Sequence, residues 1–395
     1  MLSKRERFIE IVVVAATVLS VLSQLPFFVS NGMTSVLSIP GWIIVLGYCF
    51  YLNRFKMHLK KAKKIYTIYF VFMGYFLIMS AFNSRYASSQ LPYNISVAMF
   101  MLFVGIQVGP HIRRETVRYM ALGYVIATAV LCAYVYLQFF RGVSINSTVY
   151  EYDEKNSTSL IILTAVIFLM LFFIGKNPKH KVIKYGSLVF FCVLILIMRS
   201  RATYISCAIF FVILLLNGYI SKKMRKYLMY IAVAAVVYLL INQELLNKLL
   251  DMYVFAGRSS SDIDALSSGR LVEWQHFFDD MDGKWLLGQG RQKRESLILT
   301  ALLEFGIPIG SAVIAAACIP LYKSIKLLKN ESIDALIFFS IAITYTVNLI
   351  FEQLAPFGPG VKCFMLWILL GFYLSNPDLI EDDLFERYIL NASED

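Results

Sequence analysis

The chain has 395 residues, of which 58% are hydrophobic, 15% aromatic and only 16% charged, with a mean hydropathy of +0.66. That is far more apolar surface than a soluble core needs, which excludes a water-soluble globular enzyme and identifies an integral membrane protein. The net charge of +11 comes without any basic, aromatic-interleaved soluble module, so anionic membrane lipid is an expected partner and nucleic acid is not.

Apolar runs of roughly 17 to 25 residues, the length that crosses a hydrocarbon core of about 30 Å, recur along the chain. In lipid they are expected to be helical, because lone strands and open loops leave backbone groups unpaired. The pattern predicts twelve, at 8–29, 36–52, 65–82, 93–109, 117–139, 159–175, 182–198, 202–219, 227–242, 297–320, 333–351 and 361–375. The expected fold is all-α, a single polytopic membrane domain over 1–395 with about 12 transmembrane helices. Lys and Arg accumulate in cytoplasmic loops. With Lys4, Arg5 and Arg7 holding the N-terminus inside, each even-numbered connection carries a basic tract: "NRFKMHLKKAKK", "PHIRRETVR", "KNPKHKVIK", "SKKMRK" and "YKSIKLLKN". Both termini are then expected in the cytoplasm. A cleaved signal peptide is not expected, since the first segment is a full span without a small-residue cleavage site. No internal repeat is evident, which weakens an inverted-repeat transporter. Cys49, Cys132, Cys192, Cys207, Cys318 and Cys363 lie singly inside predicted helices. They imply neither disulfides nor a metal site, and no cofactor is expected.

Chemistry is expected on the outer face. Lys155 and Asn156, in "EYDEKNSTS", stand at the mouth of the sixth segment, where a cation and an amide orient sugar or phosphate oxygens. A capped helix start explains Asn156 nearly as well. Arg199 and Arg201 flank Ser200 at the outer turn between segments seven and eight, where positive-inside placement does not account for them. Two residues apart on a helix is about 200 degrees, so they cannot share one cavity. Arg201 is expected to face inward and Arg199 toward headgroups; the alternative is that both anchor at the interface.

The connection 243–296 is long enough to be a functional or disordered loop, and helical spacing within it predicts a folded extracytoplasmic lid. Leu245, Leu246, Leu249, Leu250 and Tyr253 suit a helix on the membrane surface. Leu271, Trp274, Phe277, Phe278 and Met281 share one face of a second helix. Arg270 opens that helix, and Arg258, Arg291, Lys293 and Arg294 lie in the same loop. Guanidinium groups above a membrane cavity suit a phosphate-bearing ligand, because the planar fork makes bidentate, permanently charged contacts. The competing reading pairs them with the loop's own acids, among them Glu273, Asp279 and Asp280. "GQGRQ" lacks the GK[ST] ending of a nucleotide-cradling loop.

Glu295, at the start of the tenth segment, is the candidate base that takes a proton from a sugar hydroxyl. His276 stands behind it in that role. Glu304 lies deeper, just before "FGIPIG", whose Gly306, Pro308 and Gly310 are expected to interrupt the helix. An ionisable group at such depth costs about 2.5 to 3.5 kcal/mol on insertion scales, so it should have a partner or line a wet cavity. A structural hydrogen bond to the broken helix explains Glu304 as well as catalysis does.

Four pieces in order resemble the O-antigen polymerase and ligase superfamily: "DEKNSTS" before a span, "RSRA" at a span boundary, "SSGRLVEW" then "GQG" in one large outer loop, and "ES" followed by "LLEFGIPIG" opening the next span. The resemblance runs from Tyr152 to Gly310. It implies metal-independent glycosyl transfer on the outer face of a bacterial plasma membrane, from an undecaprenyl-pyrophosphate-linked oligosaccharide to a hydroxyl of the next lipid-linked unit. It also implies a chain-length regulator and a flippase as protein partners. Carried onto matching positions, it gives the pyrophosphate to Arg201 and Arg270, with Lys155 in support. Ligases show His-Asn where this chain has Arg294-Glu295-Ser296, a departure that favours a capsule or exopolysaccharide polymerase over an O-antigen ligase. A lipid-linked oligosaccharide flippase is the alternative of another class.

Overall fold

A computed structural model describes residues 4–141, 152, 154–172, 178–216, 222–250, 270–292, 294–330, 332–358 and 360–380, and their regular structure is helical throughout. The helices are α1 (Lys4–Leu22), α2 (Pro26–Ser30), α3 (Thr34–Leu52), α4 (Lys63–Phe82), α5 (Ser84–Ala87), α6 (Leu91–Val108), α7 (Arg114–Val135) and α8 (Lys155–Phe172). They continue with α9 (Pro178–Met198), α10 (Arg201–Leu216), α11 (Lys222–Ile241), α12 (Gln243–Leu249), α13 (Arg270–Gln275), α14 (Phe277–Met281), α15 (Leu297–Leu327), α16 (Ile333–Asn348) and α17 (Phe364–Ser375).

The expectation of about 12 transmembrane helices is corrected. Among the described residues six are long and apolar enough to cross a membrane: Thr34–Leu52, Leu59–Phe82, Leu91–His111, Arg114–Phe140, Lys155–Phe172 and Leu297–Leu327. Val182–Met198, Arg201–Leu216, Ile333–Asn348 and Phe364–Ser375 are apolar but shorter. A crossing needs roughly 20 residues at about 1.5 Å each, whereas helices of 16 and 12 residues reach only about 24 and 18 Å. α1 has the length, but Lys4, Arg5, Glu6, Arg7 and Glu10 fall inside it; α11 likewise opens on "KKMRK". The protein is a multi-pass helical membrane protein with six crossing-length apolar helices among its described residues.

Hydrophobic burial organises the bundle around α8, which is buried on nearly every side from Ser157 to Leu169, as a helix apolar all round must be. α7, α9, α10 and α16 pack against it. α6 and α17 make the closest approach in the molecule's other half. A Cβ on Gly105 would lie 2.4 Å from the Ile368 carbonyl oxygen and 2.9 Å from Gly371 Cα, so small residues let the two backbones meet. α1 packs on α3 and α7.

Polar ties gather helix ends into two groups at opposite ends of the bundle. At one end Arg113 pairs with Glu6 at 2.8 Å and Arg114 with the buried Asp334 at 2.5 Å. There too Lys61 Nζ donates to Ser375 O at 2.6 Å, and His111 bonds Asn53 at 2.7 Å. The basic tracts around 54–64 and 111–118 share this end. The opposite end carries the starts of α6, α8, α10 and α15 and the ends of α4, α9 and α16.

Candidate functional site

The opposite end is built on a broken helix. Pro308 lacks an N–H to bond the Glu304 carbonyl, and Gly306 takes φ 73°, ψ 171° inside α15, so the carbonyls of Leu303 and Glu304 lose their helical donors. Backbone groups left open within a membrane need replacement partners. The segment 285–292 supplies them. Gln289 N donates to Leu303 O at 2.9 Å, Gly290 N to Glu304 O at 3.1 Å, and Ile307 N turns to Trp285 O at 2.8 Å. The approach demands glycine: Gly288 has φ 75°, and a Cβ there would meet Glu304 O and Gly306 N, each at 2.5 Å. Tyr75 and Tyr86 hydroxyls both donate to Leu287 O, at 2.6 and 2.8 Å, and Arg291 N donates to Arg85 O at 3.0 Å. The tract is a strap that completes the backbone of α15.

Glu304 secures the strap. Its side chain is buried, Oε2 accepts from Ser89 Oγ at 2.5 Å, and Oε1 accepts from Gln292 N at 2.9 Å. Both oxygens are engaged in holding chain to chain. Gln353 Nε2 closes the other side of the strap on Gln292 O at 3.1 Å.

The remaining cations stand at neighbouring helix ends. Lys155 opens α8, and its carbonyl accepts from Ser159 Oγ at 2.6 Å; Ser159 Oγ also lies 3.4 Å from Met198 Sδ. Asn156 follows in the first turn of α8, partly exposed. Met198 ends α9, and Arg199, at φ 52°, reverses the chain into α10. A non-glycine residue in that region is uncommon. The turn buries Arg199, which is 9% exposed, and leaves Arg201 half-buried at the first position of α10. Arg199 therefore does not face headgroups as the helical angle leads one to expect, because the two arginines are separated by a reversal and do not share one helix. One turn deeper, Ser206 Oγ accepts from Asn348 Nδ2 at 3.1 Å, and Leu349 O accepts from Leu297 N at 2.9 Å. These bonds bring the starts of α10 and α15 to the end of α16.

The short helices α13 and α14 dock on the same end. Phe277 and Met281 of α14 pack on Leu299 and Leu303 of α15, while Leu271, Trp274 and Phe278 are exposed. The expected five-residue apolar face is thus split, because the helix breaks at His276. His276 is exposed and faces Asp279, with Nδ1 to Oδ2 at 3.7 Å. Glu295 N donates to Glu273 Oε2 at 3.3 Å, which sets α13, opened by Arg270, beside the exposed Glu295. Arg294 pairs with Asp280, as the competing reading of the loop arginines has it. Arg291 is exposed next to Arg85. Arg258 lies outside the described residues.

Two polar residues at this end are not singled out by their sequence context. Arg85 is a lone cation in a connection otherwise poor in them, which is the one signal it carries. Gln353 has none, because its importance comes from one tertiary hydrogen bond. Among the described residues no group of three or more His, Cys, Asp or Glu side chains is arranged to hold a metal ion. No protein-family model matches the chain, and no curated protein matches it.

Proposed function

We propose that the protein is a polysaccharide polymerase of the bacterial plasma membrane, transferring glycan from an undecaprenyl-pyrophosphate donor to a lipid-linked repeat unit at the strap-bearing end of the bundle. One observation supports the reading above the others: Lys155, Arg199, Arg201 and Glu295 all stand at helix ends on that side, with α13 bonded to the backbone of Glu295. Cations concentrated at one end, beside a carboxylate and under a docked lid, fit a diphosphate ligand.

In the reaction the acceptor hydroxyl oxygen forms a bond to the donor's anomeric carbon. The bond from that carbon to the diphosphate oxygen breaks, and its electron pair leaves on undecaprenyl pyrophosphate. The hydroxyl proton passes to Glu295, with His276 the second candidate. Arg201 and Arg270, supported by Lys155, offset the charge gathering on the leaving diphosphate. Orientation of the acceptor supplies the rest, since pyrophosphate is already a good leaving group.

The test is reconstitution of the purified chain in liposomes with one defined lipid-linked repeat unit. Polymer that lengthens with time without nucleotide is the expected result. Polymer only with a lipid A core acceptor identifies a ligase, and movement of the unit across the bilayer without lengthening identifies a transporter; either result replaces the polymerase reading.

A further inference from the structure

On the flank of the bundle a lateral groove of about 880 Å³ runs between α7 and α9, with α8 as its floor. That volume lies toward the upper part of the ligand-pocket range of roughly 300 to 1,000 Å³. Leu122, Ile126 and Val130 form one wall, Phe190 and Phe191 the other, and Phe172 part of the floor. From Arg118 to Ala133 the α7 wall extends about 22 Å at 1.5 Å per residue, more than the roughly 15 Å depth of one leaflet's hydrocarbon. Leu122, Ile126, Val130 and Phe190 are exposed along it.

The groove is asymmetric in charge. Arg118 and Lys184 line it together, both toward the end where α7 begins and α8 finishes. Lys184 is held there by a bond from its Nζ to Met170 O at 3.1 Å. An apolar trough with fixed cations at one end complements an amphiphile with an anionic head and a long hydrocarbon tail. We propose that this groove binds one anionic phospholipid of the leaflet at the basic end, its phosphate at Arg118 and Lys184 and an acyl chain along Leu122, Ile126 and Val130. The site is separate from the strap and the lid, and does not depend on the polymerase reading.

The experiment is lipid retention by the intact protein, purified from vesicles of equal parts phosphatidylcholine and phosphatidylglycerol and measured by native mass spectrometry. Each cation near a membrane surface favours an anionic lipid by roughly fivefold, so a preference of about 25-fold for phosphatidylglycerol is expected. Arg118→Gln with Lys184→Gln should erase the preference, Arg118→Lys with Lys184→Arg should keep it, and Ala129→Trp should block retention of either lipid. Equal retention of the two lipids by the unsubstituted protein would overturn the proposal, as would an unchanged preference in the double Gln variant. Should the double Gln variant fail to fold, Ala129→Trp decides the matter, since undiminished phosphatidylglycerol binding by that variant would show that the groove is not the site.

Discussion

Single residues at the strap end fall into two groups, those that hold chain to chain and those that stand at helix ends beside the lid. Glu304 belongs to the first, since each of its oxygens accepts one hydrogen bond. Glu304→Ala leaves the part-buried Gln292 N–H and Ser89 hydroxyl without that partner; at about 1 to 3 kcal/mol per buried unmet group, two groups only part-buried give an expected loss of about 2 kcal/mol, the lower end of their sum. Thermal unfolding in detergent checks this, and a midpoint equal to that of the parent would show that Glu304 does not hold the strap. Arg201 and Arg270 belong to the second group. Arg201→Ala and Arg270→Ala should each lower polymer formation by roughly 100- to 1,000-fold, the usual effect of losing a group that stabilises developing charge, with folding intact. Normal chain-length ladders from both variants would remove the diphosphate assignment.

At the scale of elements, the strap and the lid are joined to α15 by different physics. The strap substitutes backbone hydrogen bonds that Pro308 and Gly306 break, whereas α14 packs on α15 through two apolar side chains, with the Asp280–Arg294 pair beside them. Phe277→Ala should therefore free the lid and spare the bundle. A buried Phe lost to Ala costs about 3 to 5 kcal/mol in a core, enough to undock so small an element. Limited proteolysis should then cut within 243–296 faster than in the parent while the rest of the chain keeps its resistance. Gly306→Ala should do the reverse, damaging α15 itself, because its Cβ would stand 2.3 Å from the Leu286 carbonyl oxygen.

For the whole molecule, the ties among helix ends separate a basic end from a strap end. Cysteines substituted at the exposed Lys60 and at the exposed Lys284 should react with a membrane-impermeant maleimide from opposite sides of sealed vesicles. Labelling of both from one side would show that the two ends do not lie on opposite faces of the bilayer. The two cations of the groove between α7 and α9, Arg118 and Lys184, stand toward the basic end, away from the proposed chemistry, so lipid binding and glycan transfer are separable by mutation.

Composition and hydropathy determined the class of this protein, since apolar surface in such excess has no stable place in water, and they marked where helices form. They also exposed the break at "FGIPIG", because proline and glycine act on the local backbone. The twelve apolar runs did not reveal that only six of the described helices are both long and apolar enough to cross, because helix ends are set by partners: Arg199 reverses the chain after α9, and the carbonyl after α16 is taken by the start of α15. Likewise the sequence left Glu304 between a structural and a catalytic role, and its loop arginines between acids and phosphate. Only tertiary structure brought Ser89 and Gln292 to Glu304, Gln353 to the strap and Asp280 to Arg294. Hydrophobicity belongs to each residue alone, whereas a hydrogen bond needs a second group whose arrival depends on the packing of the entire chain.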